Sequence, residues 1–127
     1  MIVPKHGLLC AARLRRQVPG VTRVIIARTD GIALYDDVPL EQRDGGAALT
    51  AAVLGLGETA SSSLDLGTLQ FGITMSAERC LVVYPIDGSH LLAIIAEVNV
   101  DLGALGAAGH HEVETLRSLS GVSMASL

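Results

Sequence analysis

The chain has 127 residues, of which half are apolar and only three are aromatic, and its net charge is −4. This length predicts one domain with an aliphatic core, and the scarcity of aromatic rings argues against base stacking on a nucleic acid. No stretch reaches the roughly 18 apolar residues of a membrane span, and the first residues lack a signal-peptide pattern. We therefore expect a single domain over residues 1–127 in the cytoplasm, without a nucleic-acid partner and without membrane insertion.

The charges are distributed unevenly along the chain. Six of the nine cationic residues, from Lys5 to Arg28, precede Asp30, which is the first acidic residue. This basic segment favours either an anionic partner or a solvated helix face that balances the acidic remainder, and the second is the more common meaning of such a run. Cys10 and Cys80 stand alone in sequence, which predicts two buried free thiols.

The first third of the chain predicts a helix followed by a β-hairpin. Apolar residues recur at helical spacing within residues 5–17, and Pro19-Gly20 ends that helix. Residues 21–27 form an apolar run that predicts a strand covered on both faces. Asp30-Gly31 is a strong hairpin turn, and residues 32–35 complete the hairpin as the second strand.

A long helix is predicted over residues 44–63, with Asp44 as its N-cap. One stripe carries the larger side chains and is expected to lie on the sheet: Leu49, Val53, Leu56, Ala60 and Leu64. A second stripe holds only small residues: Ala48, Ala52, Gly55, Thr59 and Ser62. Small residues in register allow another backbone to approach closely, although simple tolerance in an alanine-rich helix explains them equally well.

The third strand is predicted at an edge of the sheet. Residues 69–75 alternate strictly, with Leu69, Phe71, Ile73 and Met75 on one face and Gln70, Gly72 and Thr74 on the other. Alternation of this kind indicates one wet face. The segment contains neither proline nor lysine, the residues that usually protect an edge strand from pairing. An unprotected edge favours pairing with another chain.

Residues 79–98 predict a buried hairpin, because both of its strands are apolar at nearly every position. Asp87-Gly88 supplies its turn. Asp101 then caps a last helix that ends near residue 119. We expect the folded core to cover about residues 5–118 and residues 119–127 to form a loose tail.

Residue patterns that resemble catalytic motifs are all weak. Gly55-Leu56-Gly57-Glu58-Thr59-Ala60 matches a dinucleotide-binding fingerprint, but it lies inside a helical pattern rather than after a strand. The run from His110 to Glu114 lacks the second histidine that a His-Glu-x-x-His zinc site needs, so a solvated helix face is preferred. The adjacent acids Asp36 and Asp37 are expected to be solvated at a turn. We predict no enzyme, no cofactor and no metal site.

Several short segments, in order and spacing, resemble the roadblock/dynein light chain family. They comprise Val18-Pro19-Gly20-Val21, Thr29-Asp30-Gly31, the stretch from Leu54 to Glu58, the buried hairpin and Asp101-Leu102-Gly103. The resemblance covers about residues 5–118. A composition rich in alanine, glycine, leucine and arginine is typical of a bacterium with a high-GC genome.

This resemblance implies an α+β fold with a five-stranded antiparallel sheet in the order 2-1-5-4-3. The first and last helices would cover one face and the middle helix the other. It also implies a homodimer, in which the third strands pair into a ten-stranded sheet and the middle helices pack together. The interface would then combine the small-residue stripe with the edge strand over residues 69–75.

The resemblance further implies a non-enzymatic regulator of small Ras-like GTPases, since the family has no conserved catalytic residue. Leu54 and Glu58 are candidate contacts with that partner, because Leu54 stands on an otherwise polar side of the middle helix. Two alternatives remain: a dimeric scaffold in a signalling complex without effect on hydrolysis, and, more remotely, a small-molecule sensor. A sensor would need convergent polar groups in a pocket, and no motif predicts them.

Overall fold

The computed structural model describes residues 1–121, which form three long helices and five strands. The elements are α1 (Pro4–Gln17), β1 (Val21–Arg28), β2 (Ala33–Asp36), a 3₁₀ turn (Leu40–Gln42), α2 (Gly46–Ser63), β3 (Gly72–Met75), β4 (Arg79–Pro85), β5 (His90–Glu97) and α3 (Leu102–Ser120). Of the predicted tail over residues 119–127, residues 119 and 120 belong to α3 instead, and residues 122–127 lie outside the described residues.

The strands form one antiparallel sheet in the order β2-β1-β5-β4-β3, which confirms the predicted fold. The central strands β1, β5 and β4 are the three that are apolar at nearly every position. Strands that are buried on both faces need such runs, because neither face meets water. β2 and β3 have four residues each and lie at the two edges.

Two hydrophobic clusters lie on opposite faces of the sheet. The larger one joins α1 and α3 to the sheet through residues such as Leu14, Ile94 and Leu116. The smaller one lies beneath α2 and includes Leu54, Ile25 and Ala93. Alternate residues of each central strand enter different clusters, as the period of a strand requires.

The start of α2 differs from the prediction. Gly45, with φ +78°, is the N-cap residue in place of Asp44, whose φ is +21°. A left-handed backbone at this position suits glycine, which has no Cβ to clash. Asp101 does cap α3 as predicted, since its Oδ1 accepts a hydrogen bond of 3.0 Å from the Ala104 amide.

The orientation of α2 on the sheet also differs from the prediction. Ala47, Thr50 and Leu54 face the sheet, whereas Leu49, Leu56 and Leu64 of the predicted sheet-facing stripe are 64%, 72% and 68% exposed. The helix approaches β1 too closely for large side chains at its first turn, because a Cβ on Gly46 would lie 2.7 Å from the Arg23 guanidinium. Of the predicted stripe, Val53 packs against the cluster beneath α2, whereas Leu49, Leu56 and Leu64 face away from the sheet.

Three of the six N-terminal cations are paired with buried acids. Arg13 contacts Glu112 at 2.7 Å, Arg23 contacts Asp36 at 2.7 Å and Arg15 contacts the carboxylate of Asp37 at 2.6 Å. The three acids are at least 96% buried as side chains, so the expectation that they are solvated is wrong. The charge of the basic segment is largely balanced within the chain.

Candidate interaction surface

β3 presents an unpaired backbone edge. It pairs with β4 on one side, from Gly72 opposite Val83 to Met75 opposite Cys80, and is the last strand of the sheet. Its four residues include no proline, no charge and no bulge. The free amide and carbonyl groups of such a strand are a template for another strand.

Apolar side chains accompany this edge on the face that carries α1 and α3. Phe71, Ile73 and Met75 are 48%, 47% and 48% exposed. The Phe71 ring lies against Tyr84, with centroids 5.9 Å apart and planes tilted by 44°. An apolar cavity of about 270 Å³ separates Ile73 from the first turns of α3. In a single chain, the three side chains of this row, Phe71, Ile73 and Met75, are thus about half exposed to water.

Leu69 does not belong to that row, which corrects the predicted alternation. β3 begins only at Gly72, and Leu69 packs into the cluster beneath α2 on the opposite face. Its side chain contacts α2 at Gly57, where a Cβ would lie 3.3 Å away. Leu69 therefore connects α2 with the segment that leads into the edge strand.

The outward face of α2 carries small residues flanked by exposed leucines. All five members of the small-residue stripe are exposed: Ala48, Ala52, Gly55, Thr59 and Ser62. Leu49 and Leu56 lie beside them on the same outward side. A Cβ on Gly55 would meet nothing within 4 Å, so the glycine is not required by packing within the chain.

We define the edge surface as the outward face of α2 together with β3 and Phe71. Its exposed large apolar side chains are those of Leu49, Leu56, Phe71, Ile73 and Met75, and Leu64 and Leu66 in the chain between α2 and β3 are exposed as well. Large apolar side chains left exposed commonly mark a protein–protein contact site. Glycines cost about 1 kcal/mol each within a helix, and an open Gly55 is consistent with a close intermolecular approach.

Leu54 is not part of the edge surface, and its prediction as a partner contact is wrong. The side chain is 3% exposed and lies in the cluster beneath α2. The polar neighbours that suggested an outward side, Thr50 and Ser61, are also buried against the sheet. Thr50 satisfies its hydroxyl by donating to the Ala47 carbonyl at 3.0 Å. Glu58 is exposed and remains accessible.

The described residues hold no group of three metal-ligating side chains. Cys10 and Cys80 are buried free thiols, as predicted. Burial raises the pKa of the Cys10 thiol, and the nearby Glu112 carboxylate raises it further, so this thiol stays protonated and unreactive. No helix within residues 1–121 is long and apolar enough to cross a membrane.

Residues 11–96, about two thirds of the chain, match the sequence model of the Roadblock/LC7 domain. The chain belongs to the Roadblock/LC7 family. The family predicted from short motifs is thereby confirmed, and so is its α+β fold. No curated protein sequence matches the chain significantly.

Solved bacterial structures share the fold of this Roadblock/LC7 protein. A Roadblock/LC7 domain from Streptomyces avermitilis superposes with a TM-score of 0.83 at 22% identity, covering 90% of this chain and 97% of that one. MglB from Myxococcus xanthus gives a TM-score of 0.78 at 15% identity, with 91% and 94% covered. The gliding protein MglB from Thermus thermophilus gives 0.76 at 16% identity, with 91% and 88% covered.

Proposed function

We propose that this Roadblock/LC7 protein is a cytoplasmic, non-enzymatic homodimer that regulates a small Ras-like GTPase. The observation that carries the proposal is the edge surface, where an unprotected strand and an open helix face occur together. A symmetric dimer uses the same patch on both chains, and this patch supplies both a strand and a helix for self-pairing.

In the proposed dimer, the β3 strands of two chains pair antiparallel and join their sheets into one of ten strands. The two α2 helices pack through their small-residue stripes, flanked by Leu49 and Leu56. The interface would comprise Ala48, Ala52, Gly55, Thr59, Ser62, Leu69, Gln70, Phe71, Gly72, Ile73, Thr74 and Met75. Glu58 lies exposed on α2 and is the remaining candidate contact with the GTPase.

One fold neighbour supports an assembly of copies. One solved structure is described as MglB with a tetrameric arrangement and superposes with a TM-score of 0.77. Family resemblance supplies the GTPase as partner, since bacterial roadblock proteins are similar to regulators of Ras-like GTPases. The dimer would offer the GTPase a continuous, two-fold symmetric platform.

We expect Gly55→Leu and Ile73→Lys each to convert the dimer to a monomer. The leucine side chain would occupy the space that the second α2 helix needs. The lysine would place a charge among the apolar side chains of β3 that the dimer would bury. Because a Cβ on Gly55 meets nothing within its own chain, Gly55→Leu leaves the monomer fold intact. Light scattering measures the change in mass.

The matched control is Ile32→Lys, since Ile32 is 54% exposed and precedes β2 at the opposite edge of the sheet. It introduces the same charge away from β3 and should leave the mass unchanged. Gly55→Ala provides a second control, because a methyl group is small enough for close helix packing. Equal masses for Ile73→Lys and the wild type would contradict pairing through β3.

Regulation is tested by single-turnover GTP hydrolysis with each purified Ras-like GTPase of the source organism, with and without this protein. We expect one GTPase to bind and its hydrolysis rate to change in the presence of the wild type, while Glu58→Arg weakens binding. Binding without a change in rate would favour the scaffold. Absence of binding to every such GTPase would contradict the proposed partner.

A further inference from the structure

A cavity of about 420 Å³ lies at one corner of the fold, where α3 passes the end of β4. Its walls come from the end of α2, the segment before β3, the β4–β5 turn and the second half of α3. The volume is within the range of small-molecule sites. The sequence contains no motif for it, because its polar groups come from four separate segments.

Tyr84 lines this cavity. The residue is 4% exposed, and its hydroxyl forms no hydrogen bond with any other residue in the described part of the chain. Gly109 allows α3 to lie directly against the hydroxyl, since a Cβ there would be 2.3 Å from Oη. Burial raises the pKa of Tyr84 to about 12, so the phenol stays protonated at neutral pH. A tyrosine hydroxyl without a partner in its own chain can both donate and accept, so it is available to a ligand or to water in the cavity.

Acidic groups outnumber basic ones in the cavity walls. Three carboxylates, those of Glu58, Asp87 and Glu114, line the cavity with a single guanidinium, that of Arg117. Arg117 is already engaged, because its Nε donates to the Ile86 carbonyl at 2.7 Å and its Nη1 donates to Glu114 at 2.8 Å. An excess of negative charge therefore remains.

Glu58 is the acid of the cavity whose carboxylate is free to accept hydrogen bonds from a ligand. Among residues 1–121 its side chain has no hydrogen-bond or ion-pair partner, whereas Asp87 accepts from Ser89 and Ser120 and contacts His90. Glu58 also lines an adjoining cavity of about 450 Å³ that contains Asp65 and no cationic side chain. The local field along this corner of the fold is negative.

We propose that this cavity binds a small organic cation, a guanidinium or primary ammonium group on a short aliphatic stem. The unpaired carboxylate of Glu58 attracts the charge, and the Tyr84 hydroxyl accepts a hydrogen bond from it. Leu69, Pro85 and Val113 supply apolar surface for the stem. The cavity shares Glu58, Leu69 and Gln70 with the surfaces proposed for the GTPase and for the dimer, but the cation site does not rest on either partner.

The test compares butylguanidinium with N-butylurea, a neutral molecule of nearly the same shape, in NMR titrations of the full-length protein at low ionic strength. We expect saturable amide shifts at Gln70, Gly88 and Val113 with the cation and none with the urea. Equal shifts with both molecules, or no saturable shift at these amides at the highest soluble concentration, would overturn the proposal.

Two further probes distinguish the source of the cation. Agmatine is a free small molecule, and acetyl-Gly-Arg-Gly-amide presents the same guanidinium as a side chain on a peptide backbone. Tighter binding of agmatine supports a free ligand, whereas binding of the peptide with equal or higher affinity supports an arginine side chain of a partner protein. Either result supports a cation site. If neither probe binds, the proposal is contradicted.

Variants assign the binding to the cavity. We expect Glu58→Gln and Tyr84→Phe each to weaken the affinity for butylguanidinium about fivefold, since each removes one polar interaction with the cation. Glu41→Gln is the matched control, because Glu41 is exposed on the 3₁₀ turn and its replacement removes the same charge outside the cavity. Equal weakening by Glu41→Gln would show only nonspecific charge attraction and overturn the proposal.

Discussion

Replacing Arg13 with alanine is expected to lower the free energy of unfolding by about 3 kcal/mol. The two oxygens of Glu112 accept from Arg13 Nε at 2.9 Å and from Nη2 at 2.7 Å, and Glu112 is fully buried. Removal of the guanidinium leaves a buried carboxylate without its counter-charge, which costs far more than loss of a surface ion pair. Urea denaturation followed by circular dichroism measures the change.

Arg16→Ala is the control for this prediction. Arg16 is exposed on the same helix and has no hydrogen-bond or ion-pair partner among the described residues. Its replacement removes the same charge and should change the stability little. If Arg13→Ala lowers the free energy of unfolding by no more than the roughly 0–1 kcal/mol of an exposed pair, the Arg13–Glu112 contact does not stabilise the packing of α1 on α3.

Gly109→Ala is expected to lower the free energy of unfolding by about 2 kcal/mol, because the added methyl group overpacks the core. The new Cβ would lie 2.3 Å from Oη and 2.6 Å from Cζ of Tyr84, whose ring is buried. Either α3 or the Tyr84 ring must move. Thermal and urea unfolding provide the measurement.

Gly106→Ala, one turn earlier in α3, should have the opposite effect. A Cβ on Gly106 meets nothing within 4 Å, so the alanine brings only its higher helix propensity, worth up to about 1 kcal/mol. The same substitution at two positions three residues apart is thus expected to lower the free energy of unfolding at Gly109 and to raise it at Gly106. If both stabilised the protein, α3 would not approach β4 as closely as the structure shows.

The sheet was predictable from sequence because its central strands combine continuous apolar runs with strong turns. The runs in β1, β4 and β5 require burial on both faces, and Asp30-Gly31 and Asp87-Gly88 fix the two hairpins. Local chemistry determines these features, so a single sequence contains them. The order of the strands came from family resemblance rather than from the residues alone.

The orientation of α2 was not predictable in the same way. Apolar or small residues occur on nearly every side of this helix, so helical periodicity does not distinguish the sheet-facing side from the outward side. Contacts remote in sequence decide it, such as the approach of Gly46 to Arg23. The helical pattern therefore predicts that Leu54 is exposed and that Leu49 lies on the sheet, and the structure shows the reverse for both.

The buried acids were missed for a related reason. Asp36, Asp37 and Glu112 look like ordinary polar residues until α1 and β1 bring arginines to them. The burial of Glu112 was indicated by helical spacing, because Glu112 lies on the same side of α3 as Leu105, Ala108 and Leu116. A charged residue in a buried stripe predicts a partner of opposite charge.

The solution mass of the wild-type protein, measured by light scattering across a dilution series, tests the proposed homodimer most directly. We expect a mass near twice the 13.2 kDa of one chain, because the edge surface leaves one strand edge and one apolar helix face uncovered in the monomer. A mass of one chain at every concentration would contradict the dimer and remove the symmetric platform on which the proposed regulation depends.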